Sequence, residues 1–268
     1  MLFRSEDELL SAYTRISGFA DAWVSVRSSI VFTEDETISF SGVFATELNV
    51  RGFSELKDAI RKVYASFFTD DAVMYASKHG IDLNNATLAV VIQKMVQAEV
   101  SGSVFTVDPI TQDKSRLSIE AVFGLGDVIA SGEITPDLYV LNKRDLSIAE
   151  QTISPQEWMK VRLLGPWRKG SSNVEKVKIS KSWSYRPKLN ERELREISKI
   201  ALIIEDKGRT SQNIEWVLSS GKVWVLQNKP LYEATVDTKV RVLGNNGIEK
   251  ETLRNVVEGF VSKTQDIE

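Results

Sequence analysis

The chain has 268 residues, 42% of them apolar and 26% charged, with 34 Lys and Arg against 37 Asp and Glu for a formal net charge of −3. That composition suits one large globular domain or two small ones, excludes general disorder, and gives no global electrostatic reason to bind nucleic acid. With no Cys and a single His, His79, disulfides, thiolate zinc sites, a cysteine nucleophile and multi-histidine metal sites are excluded, so any chemistry runs on carboxylates, Arg, Lys, amides and backbone.

The first ten residues, MLFRSEDELL, are acidic and no long apolar run follows. A secretory signal and a membrane span are therefore not expected, and the chain is placed in the cytoplasm. Leu9, Leu10, Tyr13 and Ile16 fall at helical spacing between Glu6 and Ile16, with Gly18 as a stop. Trp23 to Arg27 alternates like a short strand, and residues 28–42, built around Thr33-Glu-Asp-Glu36, read as an exposed loop or hairpin. Ser54 is the expected cap of a helix to about Phe68 that presents Leu56, Ile60, Val63, Tyr64 and Phe67 on one face. A short helix from about Asp70 to Lys78 follows, closed by Gly80. Strands are predicted at Leu88–Gln93, Ser103–Val107, Leu117–Val122 and Leu138–Leu141. Within the poorly patterned stretch 147–188, one strand is predicted at Val174–Ile179. Asn190 and Glu193 form a capping box for a helix with the stripe Leu194, Ile197, Ala201 and Ile204. A hairpin, Ile214–Leu218 with Lys222–Gln227, precedes a polar tail with one amphipathic helix at about 249–262.

The hairpin carries the sharpest local inference. A three-residue loop, Ser219-Ser220-Gly221, would pair Leu218 with Lys222, set Glu215 opposite Val225 and set Asn213 opposite Gln227. Glu215 and Gln227 then share a face as diagonal neighbours, while Ile214, Trp216, Leu218, Trp224 and Leu226 face the core. A carboxylate and an amide carbonyl side by side are hard oxygen donors of the kind Mg²⁺ takes when it bridges protein to phosphates, although two polar residues on a solvated sheet face would look the same. Gly124-x-Gly126 after a strand resembles the start of a dinucleotide turn, but Gly132 and Pro136 interrupt the helix such a turn must open. Residues 160–188 hold nine Lys and Arg against one acid, Glu175; interleaved with Trp167, Trp183 and Tyr185 they are read as a solvated basic face rather than a nucleic-acid surface. Arg27, before Ser28 and Ser29, is placed to reach a phosphate. His79 sits at a helix C-terminus, where an imidazolium suits the dipole.

In order along the chain, Val24-Ser-Val-Arg27-Ser-Ser29, Ser39-Phe-Ser41-Gly42, Val90-Val-Ile-Gln93-Lys-Met95-Val96 and Gly102-Ser-Val-Phe-Thr106-Val-Asp108-Pro109 are followed by Ile119-Glu120-Ala-Val-Phe-Gly-Leu-Gly126-Asp, Ser131-Gly-Glu-Ile-Thr-Pro136-Asp137, Ile214-Glu215-Trp216 and Leu226-Gln227-Asn-Lys229-Pro230. This series resembles the ATP-binding domain of the phosphoenolpyruvate synthase and pyruvate phosphate dikinase family over about residues 8–232. The resemblance implies an α/β (α+β), ATP-grasp-like fold of two lobes with the nucleotide site between them, residues 1–90 forming a partial lid lobe, 91–234 the Mg²⁺-ligand lobe and 235–268 a tail or linker helix. It implies ATP and Mg²⁺ as cofactors and a phosphotransferase (kinase) reaction. Arg27 would contact the phosphates, with Lys229 in the place of the last motif's arginine; Ser41, Gly42, Gln93, Met95 and Val96 would bind nucleotide, the last three as the adenine-reading hinge. Glu215 and Gln227 would hold the metal. The sequence departs from the family at Lys229, which keeps charge but loses the bidentate fork, at Ile30-Val-Phe32, at Asp127 and at Asn213, where the family has Asp. The family's glycine-rich, Lys-bearing first subdomain, its swivelling phosphohistidine domain and its pyruvate-binding domain have no counterpart in these residues. They are expected on a parent protein or separate chain, and without them no turnover is expected. Related antibiotic phosphotransferases and glucan water dikinases share the domain, and a non-catalytic nucleotide-binding remnant or scaffold is the alternative from another class.

Overall fold

The computed structural model describes residues 6–18, 21–32, 43–78, 86–163 and 173–231. These fall into two compact units, one within Met1–Met95 and Arg162–Glu175, the other within Val96–Val161 and Lys176–Glu268.

The first unit contains α1 (Glu6–Ser17), β1 (Val24–Phe32), β2 (Thr46–Val50), α2 (Phe53–Ala65), a 3₁₀ turn at Ser66–Phe68, α3 (Asp70–Lys78) and β3 (Ala86–Lys94). Its three strands are antiparallel in the order β2-β1-β3. Val24 and Val26 project from one side of β1 into a core with Leu9, Tyr13, Leu56, Ala59 and Val63. Tyr13 joins the two helices to the sheet, because its hydroxyl donates to the Ala22 carbonyl (2.8 Å) and accepts from the Gly52 amide (2.9 Å). Three expectations change here. Strand β1 runs five residues past Arg27, since Ser28–Phe32 pair with Val90–Ala86 of β3; the serines that suggest a loop are held in a ladder. The cap of α2 is Gly52 rather than Ser54, and no side chain caps it. Tyr64, placed on the buried face, is 40% exposed, because Leu56, Ala59 and Val63 suffice to fill the contact.

The second unit is built on a six-stranded antiparallel sheet in the order β11-β10-β4-β5-β6-β7. Its strands are β4 (Val100–Phe105), β5 (Arg116–Phe123), β6 (Asp137–Asn142), β7 (Ile148–Thr152), β10 (Gln212–Ser219) and β11 (Lys222–Pro230). The short helices α4 (Asp127–Ala130) and α5 (Lys181–Ser184) lie in connections, β8 (Trp158–Arg162) pairs with β9 (Val174–Lys178), and α6 spans Glu191–Gly208. The Asn190–Glu193 capping box is present. Leu194, Ile197 and Ala201 of α6 pack on one sheet face, against Val104, Leu117, Ile119, Tyr139, Ile214 and Trp216. Gly102 is forced by this packing: a Cβ there would lie 1.8 Å from the Glu120 carbonyl oxygen and 2.9 Å from the Trp216 ring. Gly102→Ala should therefore destabilise by at least ~2 kcal/mol, since backbone cannot rotate away as a side chain can. A urea midpoint within error of the wild type would contradict this packing.

Candidate functional site

The β10–β11 turn corrects the predicted hairpin. Ser219 pairs with Lys222, so the loop has two residues, Ser220 and Gly221, with φ of 52° and 69°. Both are left-handed, as a type I′ turn requires. Leu218 accordingly faces Val223, and Trp216 faces Val225. The register then shifts between Glu215 and Trp216, and Glu215 comes directly opposite Gln227. A bulge at Leu226 thus converts the predicted diagonal into a direct cross-strand pair, closer than a diagonal. The core face changes as well: Val223 is buried and Trp224 is 41% exposed, because the shorter turn advances β11 by one residue and exchanges its faces.

Successive partners across the sheet place Gln227, Glu215, Ser103, Glu120, Leu138 and Thr152 in one rank. The adjacent rank on the same face is Lys229, Asn213, Phe105, Ser118, Val140 and Glu150. This is the face opposite α6. Glu215, Gln227 and Lys229 are half-buried in it. Asn213, which pairs with Lys229, keeps a buried Oδ1 with no hydrogen-bond partner among the described residues. A carboxylate, an amide, an orphaned carbonyl oxygen and an ammonium on adjacent positions form a donor set for a hydrated hard cation together with an anion. No group of three or more His, Cys, Asp or Glu suited to a metal occurs among the described residues.

In the first unit, Arg27 is half-buried at the middle of β1 between Thr46 and Val91. Gln93, opposite Ser25, projects from the same sheet face as Arg27, away from Val24 and Val26. The Met95 amide donates to the Trp23 carbonyl at 2.8 Å, so that N–H is already committed; Val96 opens the second unit. Ser41, Gly42 and His79, and the predicted tail helix, lie outside the described residues.

Gly124 has φ of 80°, and a Cβ on it would meet the Lys160 carbonyl oxygen at 2.4 Å. It turns the chain for close packing, and the four-residue α4 after Gly126 is too short for a dinucleotide helix. The described basic residues of 160–188 include several with local partners. Lys160 bonds Asp127 and Glu133 (2.9 and 2.7 Å), Lys176 and Arg186 lie over Trp158 and Trp183, and Lys188 is buried against Asp137.

Two residues of the polar face escaped notice as site candidates, Ser118 and Glu120. Their signal was polar residues at every second position of an otherwise apolar strand. Glu120 is 7% exposed and burial alone pushes its carboxyl up to about 7 from 4.5. The folded state therefore keeps a proton that the unfolded chain has released between these values. The associated stability is complete below about pH 4.5 and is lost as pH rises through about 7. Glu120→Gln should flatten that limb, so urea midpoints measured on either side of the window should differ less than in the wild type; an unchanged slope would place the proton elsewhere.

Several antiparallel sheets with helices packed on them are consistent with an ATP-grasp-like α/β domain. The chain belongs to the pyruvate phosphate dikinase AMP/ATP-binding domain family, which matches residues 4–248. It is 32% identical over 248 residues to a probable phosphoenolpyruvate synthase of Methanocaldococcus jannaschii, covering 91% of this chain and 20% of that protein. It is 32% identical over 231 residues to the phosphoenolpyruvate synthase of Pyrococcus furiosus, covering 84% and 28%. It is 35% identical over 217 residues to the rifampicin phosphotransferase of Bacillus cereus, covering 81% and 24%. The chain thus spans well under half the length of these relatives. No described helix is long and apolar enough to cross a membrane.

Proposed function

We infer that the chain binds Mg·ATP as the nucleotide module of a phosphoenolpyruvate synthase-like phosphotransferase and that the phosphate passes to a histidine on another domain or chain. Residues 1–90 are read as most of one lobe, 91–234 as the lobe with the metal ligands, and 235–268 as a linker. Glu215 and Gln227 would hold Mg²⁺, with Asn213 Oδ1 nearby as a further acceptor. When bound, the metal supplies charge neutralisation between the phosphate oxygens. Arg27 and Lys229 would bind phosphate, and Ser41, Gly42, Gln93, Met95 and Val96 the rest of the nucleotide. Since the Met95 amide is committed to Trp23, other hinge atoms would read adenine. The observation that carries this reading is the direct pairing of Glu215 with Gln227 on the face opposite α6.

The transfer is tested by mixing the chain with ATP labelled on the β and γ phosphates, Mg²⁺ and a phosphoenolpyruvate synthase fragment that carries both the glycine-rich, Lys-bearing first subdomain and the phosphohistidine domain. Acid-labile label on that histidine domain is the expected result, and none without the fragment. Failure of the chain to bind ATP in the presence of Mg²⁺ would sink the reading outright. The rifampicin phosphotransferase among the relatives supports a second reading, in which the phosphate acceptor is an antibiotic.

A further inference from the structure

The polar face continues beyond the Glu215–Gln227 pair into a cleft of about 100 Å³ at the β5–β6–β7 end of the same sheet. Phe105, Pro109, Ile110, Leu138 and Val140 supply its apolar walls. A cleft of this size holds a small head group on a short stem and not a whole cofactor.

Three carboxylates line the cleft and no lysine or arginine does, and two of them already have partners. Asp108 Oδ1 accepts from the amides of Ile110 and Thr111 at 2.9 and 3.4 Å. Glu150 is paired with Arg116 at 3.0 Å. Glu120 has neither a side-chain hydrogen bond nor an ion pair among the described residues, and its perturbation comes from burial alone. Beside it, Ser118 is 1% exposed and its Oγ is buried without a partner. The two are neighbours on one face of β5, and both line the cleft. The buried Ser118 hydroxyl, unsatisfied among the described residues, costs free energy that a hydrogen-bonding ligand would recover, and the Glu120 carboxyl beside it offers that ligand a charge partner.

We propose that this cleft binds an organic cation, a primary ammonium or guanidinium on a short aliphatic stem, whose N–H groups donate to the Glu120 carboxylate and the Ser118 Oγ while the stem lies on the apolar walls. A phosphate is disfavoured by the absence of any basic lining residue. A divalent metal is disfavoured because Asp108 and Glu150 are already drawn to the Ile110 and Thr111 amides and to Arg116, and most of the remaining lining is apolar. The groups facing Glu120 are Ser103 from β4, Leu138 from β6, Glu150 and Thr152 from β7, and Asp108 from the loop after β4; none is a cation. Binding therefore has to draw the proton from Glu120, and affinity should rise with pH until that carboxyl is ionised.

The test is calorimetric titration of the intact chain with n-propylguanidinium chloride, n-butylammonium chloride and the neutral isostere n-propylurea. Saturable binding of the cations, tightening as pH is raised across the Glu120 range, is expected, with propylurea bound at least about tenfold more weakly. Glu120→Gln should lower cation affinity at least about tenfold and Ser118→Ala about fivefold, with thermal melts confirming that both variants fold. N-acetyl-arginine amide distinguishes the source: binding comparable to propylguanidinium means that a protein side chain reaches the cleft, and loss of binding restricts it to free small cations. Equal affinity for propylurea and propylguanidinium, or no saturable cation binding at high pH, overturns the proposal. Mg·ATP binding, measured on the same wild-type protein, reports on the nucleotide reading separately.

Discussion

Glu215→Ala should abolish Mg²⁺-dependent ATP binding while leaving the fold intact. Glu215 is the only carboxylate in the group formed with Gln227, Asn213 and Lys229, and its β11 partner is Gln227. Removing it leaves neutral oxygens opposite a doubly charged cation and leaves Lys229 without the nearby anion. A charge-assisted contact of this kind is worth about 1.5–3 kcal/mol, so affinity should fall by at least an order of magnitude and by more where metal and phosphate bind as one unit. Stability should change little, because Glu215 is half-buried on the polar face and the core side of β10 is filled by Ile214, Trp216 and Leu218. Calorimetry with ATP in the presence and absence of Mg²⁺ gives the answer, with a urea melt as control. A variant that binds Mg·ATP like the wild type would remove Glu215 from the site. Glu215→Gln refines the result: it keeps the oxygen and loses the charge, so it should bind more weakly than wild type and more tightly than Ala.

The largest stability effect is expected at Asp137. Its carboxylate accepts from four donors: the Tyr139 hydroxyl, the Ser154 amide and the Lys188 amide at 2.9 Å each, and Lys188 Nζ at 2.7 Å. The side chains of Asp137 and Lys188 are both 0% exposed. Lys188 Nζ also donates to the Ser154 carbonyl and lies over the Phe123 ring. Burial, followed by the charge of Asp137, pushes the Tyr139 hydroxyl above its ordinary range. Asp137→Ala leaves the Lys188 ammonium buried with no counter-charge, a mechanism that costs about 3–5 kcal/mol and lowers the melting temperature by roughly 10 °C in a chain of this size. The doubly substituted Asp137→Asn, Lys188→Met protein carries no uncompensated charge and should be less destabilised than the sum of its single variants, with a coupling of about 1–3 kcal/mol. Additive effects in that cycle would show that the ion pair is not what holds these residues. Because Lys188 precedes the Asn190 cap of α6, the clamp also fixes the helix that supports Ile214 and Trp216 behind Glu215. Nucleotide affinity of Asp137→Ala should fall with its stability.

The motif Ser131–Asp137 shows how sequence and structure divide the work. As a string it belongs to the resemblance, and nothing in it distinguishes a ligand-binding aspartate from a buried one. Only the convergence of β6, the segment after β7 and the residues before α6 reveals a carboxylate whose four donors are internal. The same separation applies to Glu120, whose pattern in β5 is visible in the sequence but whose isolation is not. Its flanking strands, β4 and β6, are predicted from sequence, but β7, whose Glu150 and Thr152 line the cleft over it, is not, because Ile148–Thr152 is exposed throughout and does not alternate. The sequence around Ser28–Phe32 suggests a loop because Ser and Thr favour turns locally, a preference that nine consecutive pairs with β3 override.

Local chemistry alone determined what depends on neighbours within a few residues: the capping box at Asn190, the apolar stripe of α6, the strands with uniform apolar runs, and the ordered motifs that place the chain in its family. Tertiary structure decided register. A two-residue turn with a bulge four residues further along and a three-residue turn without one both leave Glu215 and Gln227 on one face, and sequence cannot choose between them. The choice falls to the sheet, in which Leu218 faces a buried Val223 and Trp224 is left to solvent, and that register sets the β11 partners of the polar residues on the opposite face.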